Sequence, residues 1–170
     1  MVNKGGDIMK KSLVITLVII GVVLVSIIGL VIMGALSVSK AREPLTAKEF
    51  ENIMLSKDFK IIDAKNQFPD TPHLEEALIA LNDDYQIEFY VLTNSEYADT
   101  MFINNQYNLE ANKGDVSSYS TINFANGAKY TLSTNGKFSV ITKIDNTLVY
   151  LNVDNEHKED VKLILDEINY

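Results

Sequence analysis

From Ser12 to Leu36 the chain carries no charged residue: SLVITLVIIGVVLVSIIGLVIMGAL. At about 1.5 Å per helical residue, such a run can cross a hydrocarbon core of about 30 Å with some tilt. A buried helix of a globular core would show a polar face, and this run has none. Its Ser12, Thr16 and Ser26 stand alone and can bond back to their own helix. A cleaved signal peptide is the alternative, but its apolar region normally spans about 7–15 residues. The pattern therefore predicts a transmembrane helix over 12–36, set in the lipid bilayer. Lys4, Lys10 and Lys11 precede it and Lys40 and Arg42 follow, so the charge bias is slight. A tail as short as residues 1–11 is expected to stay in the cytoplasm, which places the rest of the chain outside. Residues 37–44 (SVSKAREP) read as a polar linker, and 45–170 as one folded domain.

Within that domain the periodicity changes along the chain. Thr46 with Glu49 three residues later forms a capping box, and Phe50, Ile53 and Met54 give an apolar stripe, so a helix is expected to about Lys57. FKIIDA (59–64) reads as a short strand. A second helix is expected from Thr71, with Pro72 in its first turn and a stripe of Leu74, Ala77, Leu78 and Leu81. YQIEFYVL (85–92) has strand composition. TNSE then reads as a capping box from Thr93 to Glu96, opening a helix over 95–109 that presents Ala98, Met101, Phe102 and Leu109.

From Ser118 to Val153 the period becomes two, with turn residues at Asn126-Gly127, Asn135-Gly136 and Asp145-Asn146. That predicts a four-strand antiparallel meander. Three-residue loops at the first two turns would pair Phe124 with Tyr130 and Leu132 with Val140, and a two-residue turn at the third would pair Val140 with Leu151. One core face would then hold Ile122, Phe124, Tyr130, Leu132, Phe138, Val140, Val149, Leu151 and Val153. Asp154 is expected to cap a last helix with the stripe Val161, Ile164, Leu165 and Ile168. The fold class is α+β: an N-terminal transmembrane helix, then one small domain with a mainly antiparallel sheet packed with helices. The element order resembles that of small α/β/α sandwich domains, without a shared motif.

The same register leaves Thr131, Ile141 and Tyr150 side by side on the other face, with Leu148 beyond and Lys129 opposite Lys143. A freely solvated face would not be half apolar. Either helix 95–109 covers it and completes a three-layer sandwich, or Lys129, Ile141, Lys143, Leu148 and Tyr150 form a patch for an anionic or amphipathic protein partner.

Composition narrows the chemistry. Cysteine is absent, so there are no disulfides, no thiolate nucleophile, no cysteine-held zinc and no acylated anchor. The chain also lacks an N-x-S/T sequon, which suits a bacterial protein. Beyond residue 11 stand 12 basic and 22 acidic residues, a net charge of −10. So acidic a domain argues against nucleic acid as a partner, because phosphate neutralisation needs a positive surface. His73 and His157 lie far apart and in no metal-ligand spacing. The run Asp154–Asp160 has Lys158 and Glu159 where a calcium loop needs an oxygen and a glycine, so no metal ligand is assigned. Glu75-Glu76 and Asp83-Asp84 are neighbours in sequence and read as solvated surface. There is no GxSxG, P-loop or GxGxxG, so no catalytic residue and no cofactor are assigned. The reading is a membrane-anchored, extracytoplasmic, non-enzymatic interaction or sensor-like domain. An anchored enzyme with a scattered site, and a calcium-dependent adhesion module, are the alternatives.

Overall fold

The computed structural model describes residues 40–114 and 117–170, and Ala41–Tyr170 form one compact unit. The expected transmembrane segment, 12–36, lies outside the described residues. Among those that are described, no helix is long and apolar enough to cross a membrane.

Seven strands form one antiparallel sheet: β1 (Lys60–Asp63), β2 (Leu74–Leu81), β3 (Gln86–Leu92), β4 (Ser117–Phe124), β5 (Gly127–Thr134), β6 (Lys137–Ile144) and β7 (Thr147–Asp154). Their spatial order is β1-β2-β3-β7-β6-β5-β4. The chain leaves β3 through helix α2 (Ser95–Ala111), starts again at the far edge, and meanders back until β7 pairs with β3. Helices α1 (Ala47–Leu55) and α3 (Lys158–Glu167) cover one face of the sheet, here face 1. Helix α2 covers face 2. The domain is α+β, with helices on both sides of the sheet.

Local sequence explains much of this. The Thr46 hydroxyl accepts from the Glu49 amide at 3.2 Å, and the Glu49 carboxylate accepts from the Thr46 amide at 2.8 Å, which starts α1 as expected. Phe50 and Met54 of α1 are fully buried, and Phe50 stacks on Phe89 of β3 at 4.7 Å. Val161, Ile164, Leu165 and Ile168 are all buried, as their helical spacing requires. The Asn135-Gly136 turn has both φ angles positive, 52° and 75°, the conformation that continues the twist of two paired strands.

Four expectations fail, each for a physical reason. Residues 74–81 are strand β2, not a helix. Register shifts between Leu74 and Glu76, so Glu75 is an extra residue in the strand. The resulting bulge puts Leu74 and Ala77, three apart, on the same face, which imitates helical spacing. The first two meander turns hold two residues, not three: Phe124 pairs with Gly127, and Thr134 with Lys137. That slip sends Tyr130 and Leu132 to face 2, where Tyr130 pairs with Ile141 and Leu132 with Ser139. The third turn is as expected, with Val140 opposite Leu151. Asn94, not Thr93, caps α2, its side chain accepting from the Tyr97 amide at 3.1 Å. Asp154 makes no capping bond. Its carboxylate pairs with Lys137 at 2.8 Å, because β7 runs through Asp154 and a 3₁₀ turn (Asn155–His157) separates it from α3.

Candidate functional site

The patch drawn from sequence is divided between the two faces. Ile141 and Leu148 are wholly buried beneath α2, and Tyr150 beside them is half-buried. Lys143 is 8% exposed, and its ammonium pairs with Asp99 of α2 at 2.5 Å. Lys129 does not stand opposite Lys143. Its partner is Thr142, and its side chain belongs to face 1. Of the two readings weighed for face 2, the covering helix is the one the fold contains.

Lys129 instead stands in a groove on face 1, between the β4–β5 hairpin and α3. Two adjoining hollows of about 280 Å³ each share Ser120, Lys129 and Thr131. One runs towards Arg42, Asp166 and the Asn169–Tyr170 segment, and the other towards Lys158 and Lys162 on α3. Hydroxyls of Ser118, Ser120, Thr131 and Ser133 line the strand side, because alternate residues of β4 and β5 face the same way.

Three different elements place the four cations. Asn126, in the turn between β4 and β5, holds the Arg42 backbone as a peptide group would. Its Oδ1 accepts from the Arg42 amide at 2.9 Å and its Nδ2 donates to the Arg42 carbonyl at 2.8 Å. The Arg42 guanidinium then lies 4.2 Å over the Phe124 ring and donates to the Asn169 carbonyl at 3.2 Å. Lys129 rises from β5 and donates to the Tyr170 carbonyl at 3.0 Å. Lys158 and Lys162, four apart, share one side of α3. The Lys158 ammonium lies 5.0 Å over Phe138, and Lys162 pairs with Glu159 at 2.8 Å. Burial pushes the Lys129 ammonium below the ordinary lysine range, with nearby Asp166 opposing the shift. The neighbouring Arg42 and Lys162 charges push the same way as burial, so an anion entering the groove would meet several cations together.

Sequence reading found Lys129 but not Arg42, Lys158 or Lys162. These residues lie up to 120 positions apart, and no spacing rule connects them. On face 2, a second cavity of about 320 Å³ opens beside α2, lined by Phe68, Leu74, Tyr90, Tyr97 and Met101. Its polar groups are largely engaged: Tyr90 donates to Glu88, Thr100 to the Glu96 carbonyl, and Asn105 to the Met101 carbonyl. His73 stacks on Tyr97 at its rim, while His157 lies on the opposite face near Tyr85. Among the described residues, no three of His, Asp and Glu converge to hold a metal ion. Comparison with protein-family models, with curated proteins and with solved structures found no match to this chain.

Proposed function

We propose that this chain is a single-pass membrane protein, anchored by residues 12–36, whose domain acts outside the cytoplasm as a non-enzymatic binding module for an anionic partner. The charge-free run supports the anchor, and the short lysine-bearing tail ahead of it supports the orientation. The observation that carries the binding reading is the groove on face 1. Past residue 11 the chain has 12 basic residues against 22 acidic ones, yet Arg42, Lys129, Lys158 and Lys162 all line this one groove. Asp166 is the carboxylate that lines it with them. Cations gathered in a concave surface raise the local potential and favour negative ligands even on an acidic protein.

Two experiments test the proposal. Protease added to intact cells, and then to spheroplasts, reads the orientation: cleavage of the domain in intact cells is expected, and protection until the cells are opened would reverse it. For binding, the full chain in nanodiscs of uncharged lipid is titrated with inorganic phosphate, a polycarboxylate and anionic vesicles. Affinity for at least one is expected to fall steeply between 50 and 300 mM salt, since charge pairs beyond about 8 Å are screened near physiological salt. It should fall again in a Lys158→Gln/Lys162→Gln double variant. Indifference of every anion to both changes would refute the reading.

A further inference from the structure

We infer that the anionic partner is an acidic polypeptide segment, bound in extended form as an eighth strand along β4. The inference rests on the groove being an anion site and adds what kind of anion it takes. β4 is the outer strand of the sheet, and among the described residues no strand pairs with its outer side. In the two-residue hairpin, the closing pair Phe124–Gly127 exchanges hydrogen bonds. Alternation along an antiparallel ladder then turns the amides and carbonyls of Tyr119, Thr121 and Asn123 outward.

Natural sheets blunt such edges with charge, proline, a bulge or brevity. The opposite edge obeys this rule: β1 has four residues, with Lys60 and Asp63 at its ends. β4 does not. Its eight residues, SSYSTINF, include no charge and no proline, and their register with β5 is unbroken. Tyr119 and Ile122, 66% and 51% exposed, stand on opposite faces of it. An open, regular edge of this kind is what strand addition uses, with backbone bonds giving affinity and side chains giving selection.

Charge selects the occupant. The face 1 side of β4 forms one wall of the groove with Arg42, Lys129, Lys158 and Lys162. On face 2, the Lys113 ammonium lies 5.4 Å over the Tyr119 ring. The carboxylates nearby are Asp166 in the groove, Glu159 paired with Lys162, and Glu110 beside Tyr130. Side chains of an added strand alternate between the two faces, so acidic residues at either parity meet cations. A second copy of this chain would instead bring β4 to β4 and cations to cations. A phosphate or a lipid headgroup would use the cations but leave the ladder unpaired.

The test uses the full chain in nanodiscs of uncharged lipid and a capped, fluorescent octapeptide of glutamate, threonine and valine. A twin with glutamine for each glutamate is the comparison. Anisotropy is expected to show the acidic peptide binding at least tenfold more tightly than its twin. Thr121→Pro removes an outward amide while leaving the ladder to β5 in place, and is expected to weaken binding tenfold or more. Lys158→Gln/Lys162→Gln should weaken it as well. A carbonyl-labelled peptide on the unaltered protein should show the infrared shift of a paired strand, which keeps the test independent of how the proline variant folds. Binding that needs the lysines but ignores Thr121→Pro, with no strand signature, overturns strand addition and leaves the anion groove standing. Equal binding of the twin overturns the acidic selection. Phosphate or anionic vesicles binding while the peptide does not would also overturn the inference alone. If no anion binds, the groove reading falls with it. Self-association of the chain that Thr121→Pro abolishes would assign the edge to a second copy and overturn the inference.

Discussion

Truncating Ile141 separates a covered face 2 from an exposed one by a wide margin. Ile141 is fully buried, between Tyr130 and Tyr150 on its neighbouring strands and under α2. Ile141→Ala removes three carbons, which forfeits about 2.4 kcal/mol at about 0.8 kcal/mol per buried methylene. If the vacated space of roughly 80 Å³ stays open, about 1.9 kcal/mol more is lost at about 24 cal/mol per Å³. The expected cost is therefore about 2.4–4.3 kcal/mol. The same truncation on an open surface would cost within about 0.5 kcal/mol. Ile103→Ala, at a residue 62% exposed on α2, supplies that comparison in the same protein. Urea unfolding of the full chain in nanodiscs can be followed by tyrosine signals. All eight tyrosines lie in the folded domain and the chain has no tryptophan, so this chain's signal comes from the domain, read against empty nanodiscs. A cost for Ile141→Ala under about 1 kcal/mol, with an unchanged denaturant slope, would refute the covered face.

Four further outcomes are expected. Thr46→Ala should cost about 1 kcal/mol through loss of the cap. Hydrogen bonds from Thr46 hold the Glu49 carboxyl below its ordinary value, so its contribution is present above that value and lost as pH falls through the folded one. The stability gap between the wild type and Glu49→Gln should accordingly close in acid urea titrations. Gly127→Ala should destabilise more than Gly136→Ala: a β-carbon at Gly127 would lie 2.2 Å from the Lys143 carbonyl, whereas at Gly136 nothing lies within 4 Å and only the positive φ costs, about 1 kcal/mol. Burial lowers the Lys129 value, so the fold itself gains stability as pH rises through the folded value towards the free-lysine one. Anion binding in the groove should run the opposite way, weakening over that same alkaline window, and Lys129→Gln should remove this early loss from a binding titration.

The sequence alone determined whatever depends on neighbours along the chain. Thr46 and Glu49 start α1 because both partners of the capping box lie within one turn. The four meander strands follow from alternation and from Asn-Gly and Asp-Asn turns. The stripe Val161–Ile168 buries one side of α3 because 3.6-residue spacing leaves it nowhere else to go. Which side of the sheet each strand residue faces was not local information. With both faces buried, pairing apolar with apolar ceases to be a guide, and Leu132 sits opposite Ser139 because α2 covers that side. The strand at 74–81 was hidden by one bulged residue, and it is a strand because β1 and β3 pair with it on either side. The groove belongs wholly to the tertiary structure. Arg42 reaches it only because Asn126, 84 residues away, grips its backbone, and Lys158 and Lys162 face Lys129 only because α3 folds back across the hairpin. Charge in the sequence gave the acidic total, but gathering a positive minority into one place took the fold.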